Sequence, residues 1–524
     1  MKPETLLTAA QMRAVEAAAI ASCHATGAEL MERAGRGVVG AMLVEFPELG
    51  LGRHHALVLC GPGNNGGDGF VVARLLLERG WNVTAWFLGT PAALPPDAKL
   101  MHGQFAAMGG NIQPMPQGGF DPQAPFRGDA KPGWRVIVDA LFGTGLTRPL
   151  DAPLLEVLGE LGRAAPEGTA HRIAVDAPSG LCLDSGRVLG EGGGLPSRQD
   201  LTVTFHAMKR GHLLAEGPEW CGKLRVVDIG LSGGPPEDRL DLTTPGRCWA
   251  KKAGHKYDHG HCLVIGGGPG QAGAARLAAK AALRVGAGLV TLALPSAALP
   301  DAGRLPDAVI RRPVDTPADL RALLQDGRIT SICLGPGLGH QRARDLLPVV
   351  LAADRNTVLD ADALTSFADD PEALLAMLHA RCLLTPHGGE FARVFPHIAA
   401  RLAAPPRSGP AYSRADTVRD AVARAGCAVL LKGPDTVIGW PGGHGPQLAL
   451  NAAVGPNAAP WLATAGAGDV LAGMIAGLAA RGPLAPAACS AAWLHAAAAR
   501  RFGPGLIADD LPEQLPALLR DLTL

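Results

Sequence analysis

Three short polar motifs in the first half of the chain carry residues that could bind a ligand or move a proton. They are GPGNNGGDG at 61–69, DALFGTGL at 139–146 and VDAPSG at 175–180. The spacing of the first fits neither the GxGxxG dinucleotide fingerprint nor the GxxxxGK[ST] phosphate loop. Asn65, Asp139 and Ser179 offer one carboxylate and neutral oxygens, which suit a monovalent cation better than calcium or zinc. A fourth polar segment, FHAMKRG, is less clear.

Each of these motifs also has a purely structural interpretation. A glycine-rich turn after a strand can serve only to reverse the chain. Asp139 and Asp176 can each cap a helix, which is worth about 1 kcal/mol. That explanation holds for either aspartate alone and less well for all the polar residues together.

The second half of the chain contains one sharper motif, ATAGAGDVLAG. Its small-residue loop runs from Ala465 to Gly468 into a predicted helix whose first turn contains Asp469. Backbone N–H groups at such a helix start bind anions, and an aspartate there can take a proton from a hydroxyl beside a bound phosphate. The alternative is a carboxylate favoured only by the helix dipole.

The elements that position these motifs alternate between short apolar runs and Ala/Leu-rich segments. HALVLC, RVIVDALF, HRIAVDAPSG and LTVTF are typical of strands, and GFVVARLLLERG is typical of a helix. Such alternation predicts an α/β fold with mostly parallel sheets. Ligands gather at the carboxyl ends of parallel strands, where these polar motifs lie.

The length of 524 residues predicts two domains. We place them at 1–235 and 236–524, because the stretch from about Gly230 to Ala253 is rich in Gly, Pro and charge. A second series of α/β motifs follows that linker. The segment RLAAPPRSGPAYSR at 401–414 interrupts the series and is predicted to be a surface loop.

The first-half motifs, in this order and spacing, closely resemble the NAD(P)H-hydrate epimerase family over roughly residues 8 to 230. The resemblance implies a Rossmann-like three-layer α/β/α domain, with potassium bound by Asn65, Asp139 and Ser179. It also implies that glycines let the backbone approach a hydrated dinucleotide and that Asp176, or Asp68 as second candidate, moves a proton. The implied substrate-binding residues are Asn64, Asn65, Gly66, Gly67, Asp68, Gly143, Thr144, Gly145, Leu146, Thr147, Arg148, Pro149 and Asp176.

The second-half motifs LGPGLG, LDADAL, LTPHGGEFAR, LLKGPDTVI and AGAGDVLAG resemble the ribokinase-like ADP/ATP-dependent NAD(P)H-hydrate dehydratases over roughly residues 240 to 515. The resemblance makes Asp469 the catalytic base. The implied contacts to the hydrated cofactor are Ala274, Gly339, His387 and Asp469. The implied nucleotide contacts are Lys432, Gly433, Pro434, Asp435, Thr436 and Gly468. In this chain Ala467 replaces the usual Ser or Thr, and His387 can equally be a hydrogen-bonded structural residue.

The resemblances together imply a bifunctional metabolite-repair enzyme. The first domain epimerises the R and S forms of hydrated NADH or NADPH, and the second dehydrates the S form with hydrolysis of ADP or ATP. We expect ADP rather than ATP, with Mg²⁺ carried by the nucleotide. The alternative is a kinase of a small vitamin alcohol, with a non-catalytic dinucleotide-binding module in front of it.

The composition of the chain indicates which classes of partner it can bind. The formal net charge is zero and no basic run occurs, so we expect no binding to nucleic acid or membranes. The N-terminal residues lack the pattern of a signal peptide. The ten cysteines have no metal-ligand spacing and predict reduced, buried thiols. We therefore expect a cytoplasmic homo-oligomer acting on small molecules.

Overall fold

The computed structural model describes residues 4–116, 133–164, 168, 170–191, 194–195, 197–234 and 237–523. The chain forms two compact units. The first comprises Thr5–Arg239 and Ala404–Ser413, and the second comprises Leu240–Ala403 and 414–523. The segment 404–413, predicted as a surface loop in the second half, thus belongs to the first unit.

The first unit is built on a seven-stranded sheet in which every neighbouring pair is parallel. The strands of this sheet are β2 His55–Cys60, β3 Asn82–Phe87, β4 Asn111–Pro114, β5 Val136–Ala140, β6 His171–Val175, β7 Leu201–Phe205 and β8 Lys223–Val227. The short strand β1 Thr5–Leu6 precedes them in the chain and is not part of this sheet. The helices are α1 Ala9–Ala21, α2 Gly27–Glu45, α3 Asn64–Glu78, α4 Pro96–Ala107, α5 Ala152–Ala164 and α6 Gly217–Cys221. The order in the sheet is β4-β3-β2-β5-β6-β7-β8.

Helices cover both faces of this sheet. Along β2 the side chains alternate: Ala56 and Val58 join the core that contains α2, α3 and α4, whereas Leu57 and Leu59 join the core that contains α5. A strand buried on both faces is apolar throughout, which explains the HALVLC run. The first unit is therefore the three-layer α/β/α domain that the sequence predicts.

The second unit is built on a larger, mixed sheet. Its strands are β9 Leu240–Leu242, β10 His261–Ile265, β11 Leu289–Leu294, β12 Val309–Pro313, β13 Ile329–Leu334, β14 Asn356–Leu359, β15 Cys382–Leu384, β16 Ala428–Leu431, β17 Asp435–Trp440 and β18 Gln447–Ala452. Its helices are α7 Gly273–Arg284, α8 Pro317–Leu324, α9 His340–Ala352, α10 Asp362–Thr365, α11 Pro371–Leu375, α12 Gly388–Val394, α13 Pro396–Ala403, α14 Arg414–Ala425, α15 Ala467–Ala479, α16 Leu484–Phe502 and α17 Leu511–Asp521. From β9 the order is β9-β18-β17-β16-β15-β14-β13-β10-β11-β12.

Small residues let α15 pack closely on α7. A Cβ at Gly473 would lie 2.2 Å from the Ala278 carbonyl oxygen, and one at Gly477 would lie 2.6 Å from that of Ala282. The surrounding core consists largely of alanine, valine and leucine. This close approach fixes α15, and with it the helix start that carries Asp469.

The predicted strands and the mostly parallel sheets are confirmed, with three differences. Strands β1, β4, β9, β12 and β18 were not predicted. The β16–β17 and β17–β18 pairs are antiparallel, because turns of a few residues join them. The helix predicted from Gly69 begins at Asn64. Among the described residues, no helix is long and apolar enough to cross a membrane.

Candidate active sites

In the first unit, the NNGGD residues form the opening turns of α3 rather than a loop. The helix begins at Asn64 after Gly63, and no side chain caps its free N–H groups. A Cβ at Gly61 would lie 1.8 Å from the Leu141 carbonyl oxygen, and one at Gly66 would lie 2.0 Å from that of Gly61. The protein's own backbone therefore demands glycine at these two positions, whereas Gly63 faces open space.

A cavity of about 460 Å³ lies at this helix start. The predicted residues that line it are Asn64, Asn65, Asp68, Gly143, Thr144, Gly145, Leu146 and Asp176. The remaining predicted binding residues, Gly66, Gly67, Thr147, Arg148 and Pro149, are not part of the lining. Helix α1 contributes Arg13 and Glu16, which the sequence analysis did not select.

Asp176 is held in the cavity wall by contacts on both sides of its carboxylate. Lys209 Nζ lies 2.9 Å from Oδ1, and the Thr204 hydroxyl donates to the same oxygen at 2.8 Å. The Thr144 N–H donates to Oδ2 at 3.0 Å. The backbone of Asp176 is left-handed, with φ of 66°. Such a conformation costs energy in a non-glycine residue and persists only where the surroundings hold it.

The carboxyl groups that face this cavity differ in their affinity for protons. Burial alone would raise the pKa of Asp176, but the attraction of Lys209 and His212 and the hydrogen bonds from Lys209 and Thr204 lower it. Burial, followed by repulsion from Asp176 and Glu16, raises the pKa of Asp68 well above its usual range. The pKa of Glu16 is raised mainly by burial as well. The site thus pairs a carboxylate with carboxylic acids, a division typical of acid–base catalysis.

The predicted cation ligands Asp139 and Ser179 contact each other directly. The Ser179 hydroxyl donates to Asp139 Oδ1 at 2.6 Å, and its N–H donates to Oδ2 at 2.8 Å. Asn65 lies beside Gly143, and its buried Nδ2 has no hydrogen-bond partner in the described part of the chain. Burial raises the pKa of Asp139, so a cation beside this carboxylate would offset its burial. The oxygen-rich, singly charged donor set fits potassium.

In the second unit, Asp469 lies in the first turn of α15. Gly466 precedes the helix with φ of 88°, and no side chain caps the helix. Ala467 is buried in the apolar core, so its side chain faces protein rather than the helix start. His495 of α16, also buried, is hydrogen-bonded to the Ala467 backbone, and burial is the main cause that lowers its pKa to about 4. The Ala467 N–H donates to the Thr464 carbonyl at 3.4 Å, so the N–H groups of Gly468 and Asp469 are the ones that an anion at this helix start could contact.

Carboxylates surround the single lysine of this site. Lys432 Nζ lies 2.8 Å from Asp360 Oδ1 and 3.6 Å from Glu390 Oε2. A Cβ at Gly468 would lie 3.4 Å from Lys432 Nζ, which places the ammonium beside the start of α15. Burial, then repulsion from Asp360, raises the pKa of Asp469 to about 6, although Lys432 opposes that shift. Asp469 is therefore an ionised base of useful strength near neutral pH.

The predicted nucleotide-binding segment 432–436 spans the turn between β16 and β17 and the first two residues of β17. The Thr436 hydroxyl donates to the Gly433 carbonyl at 2.6 Å. Asp435 pairs with Arg414 at 3.0 Å. These two side chains stabilise the turn.

The predicted cofactor contacts lie at the starts of three helices. His387 caps α12: its Nδ1 accepts from the Gly389 N–H at 3.0 Å, and Glu390 accepts from the His387 N–H. His387 is thus hydrogen-bonded as a helix cap, its ring is exposed, and its contact to the cofactor stays a prediction. Gly339 caps α9 with φ of 83° and donates to Asp362 Oδ2 at 2.8 Å. Ala274 lies in the first turn of α7.

The sequence analysis did not select the residues that shift the pKa values of the acids in these sites. The signal for Lys209 was present in FHAMKRG, where a lysine follows the strand β7. The signal for Asp360 was the LDADAL motif. No motif in the sequence points to Glu16, because it is an ordinary residue of an alanine-rich helix.

Comparison with known proteins gives matches to both units. Residues 262–516 match the family model described as NAD(P)H-hydrate dehydratase, and residues 27–211 match the YjeF-related protein N-terminus. The bifunctional NAD(P)H-hydrate repair enzyme Nnr of Moorella thermoacetica is 35% identical over 99% of this chain and 97% of its own length. The enzyme of that name from Coxiella burnetii is 35% identical over 94% of each chain.

Two further matches each span one unit. The NAD(P)H-hydrate epimerase of Roseobacter litoralis is 42% identical over 43% of this chain and 99% of its own length. A crystal structure of the ADP/ATP-dependent NAD(P)H-hydrate dehydratase of Bacillus subtilis, co-crystallised with ATP and Mg²⁺, is 26% identical. It covers 53% of this chain and 94% of its own, with a TM-score of 0.42.

Proposed function

The chain belongs to the bifunctional NAD(P)H-hydrate repair enzymes, and we propose how its two sites divide that work. The first unit interconverts the R and S forms of hydrated NADH or NADPH. The second unit dehydrates the S form back to the reduced cofactor with hydrolysis of a nucleotide. A vitamin-alcohol kinase with a non-catalytic first domain is not favoured, because relatives named as bifunctional repair enzymes match over both units.

In the first site, Asp176 takes a proton and Asp68 gives one. The hydroxyl-bearing carbon must pass through a planar or ring-opened state to invert, and either route needs a proton acceptor and a proton donor. The observation that carries this assignment is the buried contact of Lys209 with Asp176, which keeps one carboxyl ionised while its neighbours favour the protonated form.

The test of the first site uses the full chain without nucleotide, so that dehydration does not occur. The pure R isomer of hydrated NADH is added and the two isomers are resolved by chromatography against an enzyme-free blank. We expect Asp176→Asn and Asp68→Asn to lose isomer exchange while dehydration of the S isomer continues. Unchanged exchange in both variants would refute the assignment.

In the second site, Asp469 accepts the proton of the cofactor's C6 hydroxyl. The resulting oxygen attacks the terminal phosphate of the nucleotide, and the bond between that phosphorus and the nucleotide's bridging oxygen breaks. The ring nitrogen's lone pair then expels phosphate from C6, and loss of a proton from the adjacent carbon restores the reduced cofactor. Phosphate leaves more easily than hydroxide, which is why phosphoryl transfer serves a dehydration.

The nucleotide is proposed to lie at the start of α15, with Lys432 beside its phosphates. Within the described residues, no three His, Cys, Asp or Glu side chains form a metal-binding group. We therefore assign no protein metal site here; Mg²⁺ arriving on the nucleotide would neutralise phosphate charge. Dehydration assays with ADP and with ATP decide between the nucleotides, and we expect ADP to support the faster rate.

Potassium is proposed to bind Asn65, Asp139 and Ser179. The oxygen donors and the single carboxylate support this choice, as does the burial of Asp139. We further propose that the chain acts on small molecules as a cytoplasmic homo-oligomer. Light scattering on the purified chain gives the oligomeric state directly.

A further inference from the structure

A segment encoded in the second half of the chain lies against the predicted substrate loop of the first unit. Residues 404–413 lie between α13 and α14 in sequence but belong to the first unit. The substrate loop, residues 143–149, contributes Gly143, Thr144, Gly145 and Leu146 to the cavity. Its next residues, Thr147 and Arg148, are exposed. Its described contacts include the Arg13 guanidinium, which donates to the Thr144 carbonyl at 2.9 Å, and an apolar cluster against which Leu146 packs.

The direct contact is made by the backbone of Gly409. Its N–H donates to the Thr147 carbonyl at 2.9 Å. A Cβ at Gly409 would lie 2.8 Å from the Leu146 carbonyl oxygen and 3.3 Å from Thr147 Cα. The two backbones thus touch with no room for a side chain.

The segment is itself anchored at both ends. Arg187 donates to the Ala404 carbonyl at 2.7 Å and to the Tyr412 carbonyl at 3.4 Å. The Gly190 N–H donates to the Pro406 carbonyl at 3.0 Å. Ala411 is buried in an apolar cluster with Cys182 and Leu189, against which Leu146 also packs. An anchored segment can restrain the loop that it touches.

We propose that residues 404–413 are a positioning segment for the epimerase substrate loop. The restraint passes from Gly409 to Leu146 and Thr147, and from there to Thr144, whose N–H is hydrogen-bonded to Asp176. The epimerase half of the enzyme thus depends on a segment encoded between α13 and α14. This inference rests on the proposed function of the first site.

The test compares full-length variants in both assays. Gly409→Ala and Gly409→Val insert atoms between the segment and the loop. We expect KM for the R isomer to rise about threefold for Ala and about tenfold or more for Val, since displacement of a positioning contact by about 1 Å can cost up to about a hundredfold. Dehydration of the S isomer with nucleotide should stay within about twofold, which shows that the chain is folded.

The matched control is Arg407→Ala in the same segment. Arg407 is 77% exposed and pairs with Glu191, which is 70% exposed, so its loss should leave both activities within about twofold. Wild-type epimerase kinetics in Gly409→Val would overturn the proposal, and so would an equal loss of both activities. Failure of the wild-type chain to exchange the isomers would instead refute the proposed function of the first site.

Discussion

Replacing Lys209 by Met tests whether a buried cation sets the protonation of Asp176. Lys209 is 1% exposed, and its Nζ lies 2.9 Å from Asp176 Oδ1, 2.7 Å from Thr204 Oγ1 and 3.2 Å from the Phe205 carbonyl oxygen. Methionine has a similar length but no charge. It leaves Asp176 in a buried position, facing Glu16 and Asp68.

The magnitude follows from the burial of both partners. Removing one partner of a buried ion pair costs about 3–5 kcal/mol of unfolding free energy while the other stays charged. Asp176 can escape that cost by taking up a proton, but it then no longer acts as a base. We therefore expect epimerase kcat/KM at neutral pH to fall by about 10²–10⁴-fold, the usual contribution of a general base.

The pH profile of epimerase activity should shift in a direction that a merely structural role of Lys209 would not produce. A lowered pKa means that the ion pair stabilises the fold above the unfolded value of Asp, about 3.9, and is lost as pH falls through the folded value. In Lys209→Met the acid limb of the epimerase profile should move to higher pH, because Lys209 no longer offsets the burial of Asp176. His212 cannot replace the charge of Lys209 in this pH range. Its pKa is lowered to about 4, mainly by burial, so its ring is neutral.

The assay is isomer exchange between pH 5 and 9, with thermal unfolding followed on the same samples. Lys209→Met/Asp176→Asn removes both charges and should recover most of the lost stability without activity. Lys223→Met, at a lysine that is 61% exposed, is the control and should behave as the wild type. Wild-type rates and an unshifted profile in Lys209→Met would refute the reasoning.

Three further predictions concern the other charged groups. Because the pKa of Asp469 is raised to about 6, dehydratase kcat/KM should fall about tenfold per pH unit below that value; a flat profile from pH 5 to 8 would exclude Asp469 as the base. Asp469→Asn should lose dehydration yet gain about 1–3 kcal/mol in unfolding free energy at pH 7, because the raised pKa of Asp469 makes the fold lose stability as pH rises from the unfolded value of about 3.9 to the folded value of about 6; a less stable variant in urea titration would contradict this. Potassium at about 100 times its dissociation constant should stabilise the first unit by about 2.7 kcal/mol relative to a tetramethylammonium salt, and Asp139→Asn should abolish the difference in thermal unfolding.

Much of the architecture could be predicted from sequence because the relevant signals are local. The HALVLC and LTVTF runs mark strands buried on both faces, and both strands are observed at the predicted positions. The start of α3 was placed too late, because Asn64 and the glycines after it disfavour a helix by local propensity. Packing overrides that preference: the glycine positions 66 and 67 are filled by the protein's own backbone and by Met31.

The candidate sites were predictable as motifs but not as electrostatic environments. Asp176 and Asp469 stand in recognisable segments, so their candidacy could be argued from residue type and position. The sequence alone indicated the family and the α/β class, and it made these acids the candidates for moving protons. The protonation states of Asp176 and Asp469 could not be predicted, because the groups that set them are distant in sequence. Lys209 lies 33 positions from Asp176, and Asp360 lies far from Asp469 in the chain.

Only the tertiary structure decided which carboxyl groups are charged, and which segment supports the substrate loop. Burial and Coulomb interactions act through distances in space, and sequence spacing does not report those distances. The same reason applies to residues 404–413. Their composition predicts an exposed loop, and only the folded chain brings Gly409 into contact with Thr147.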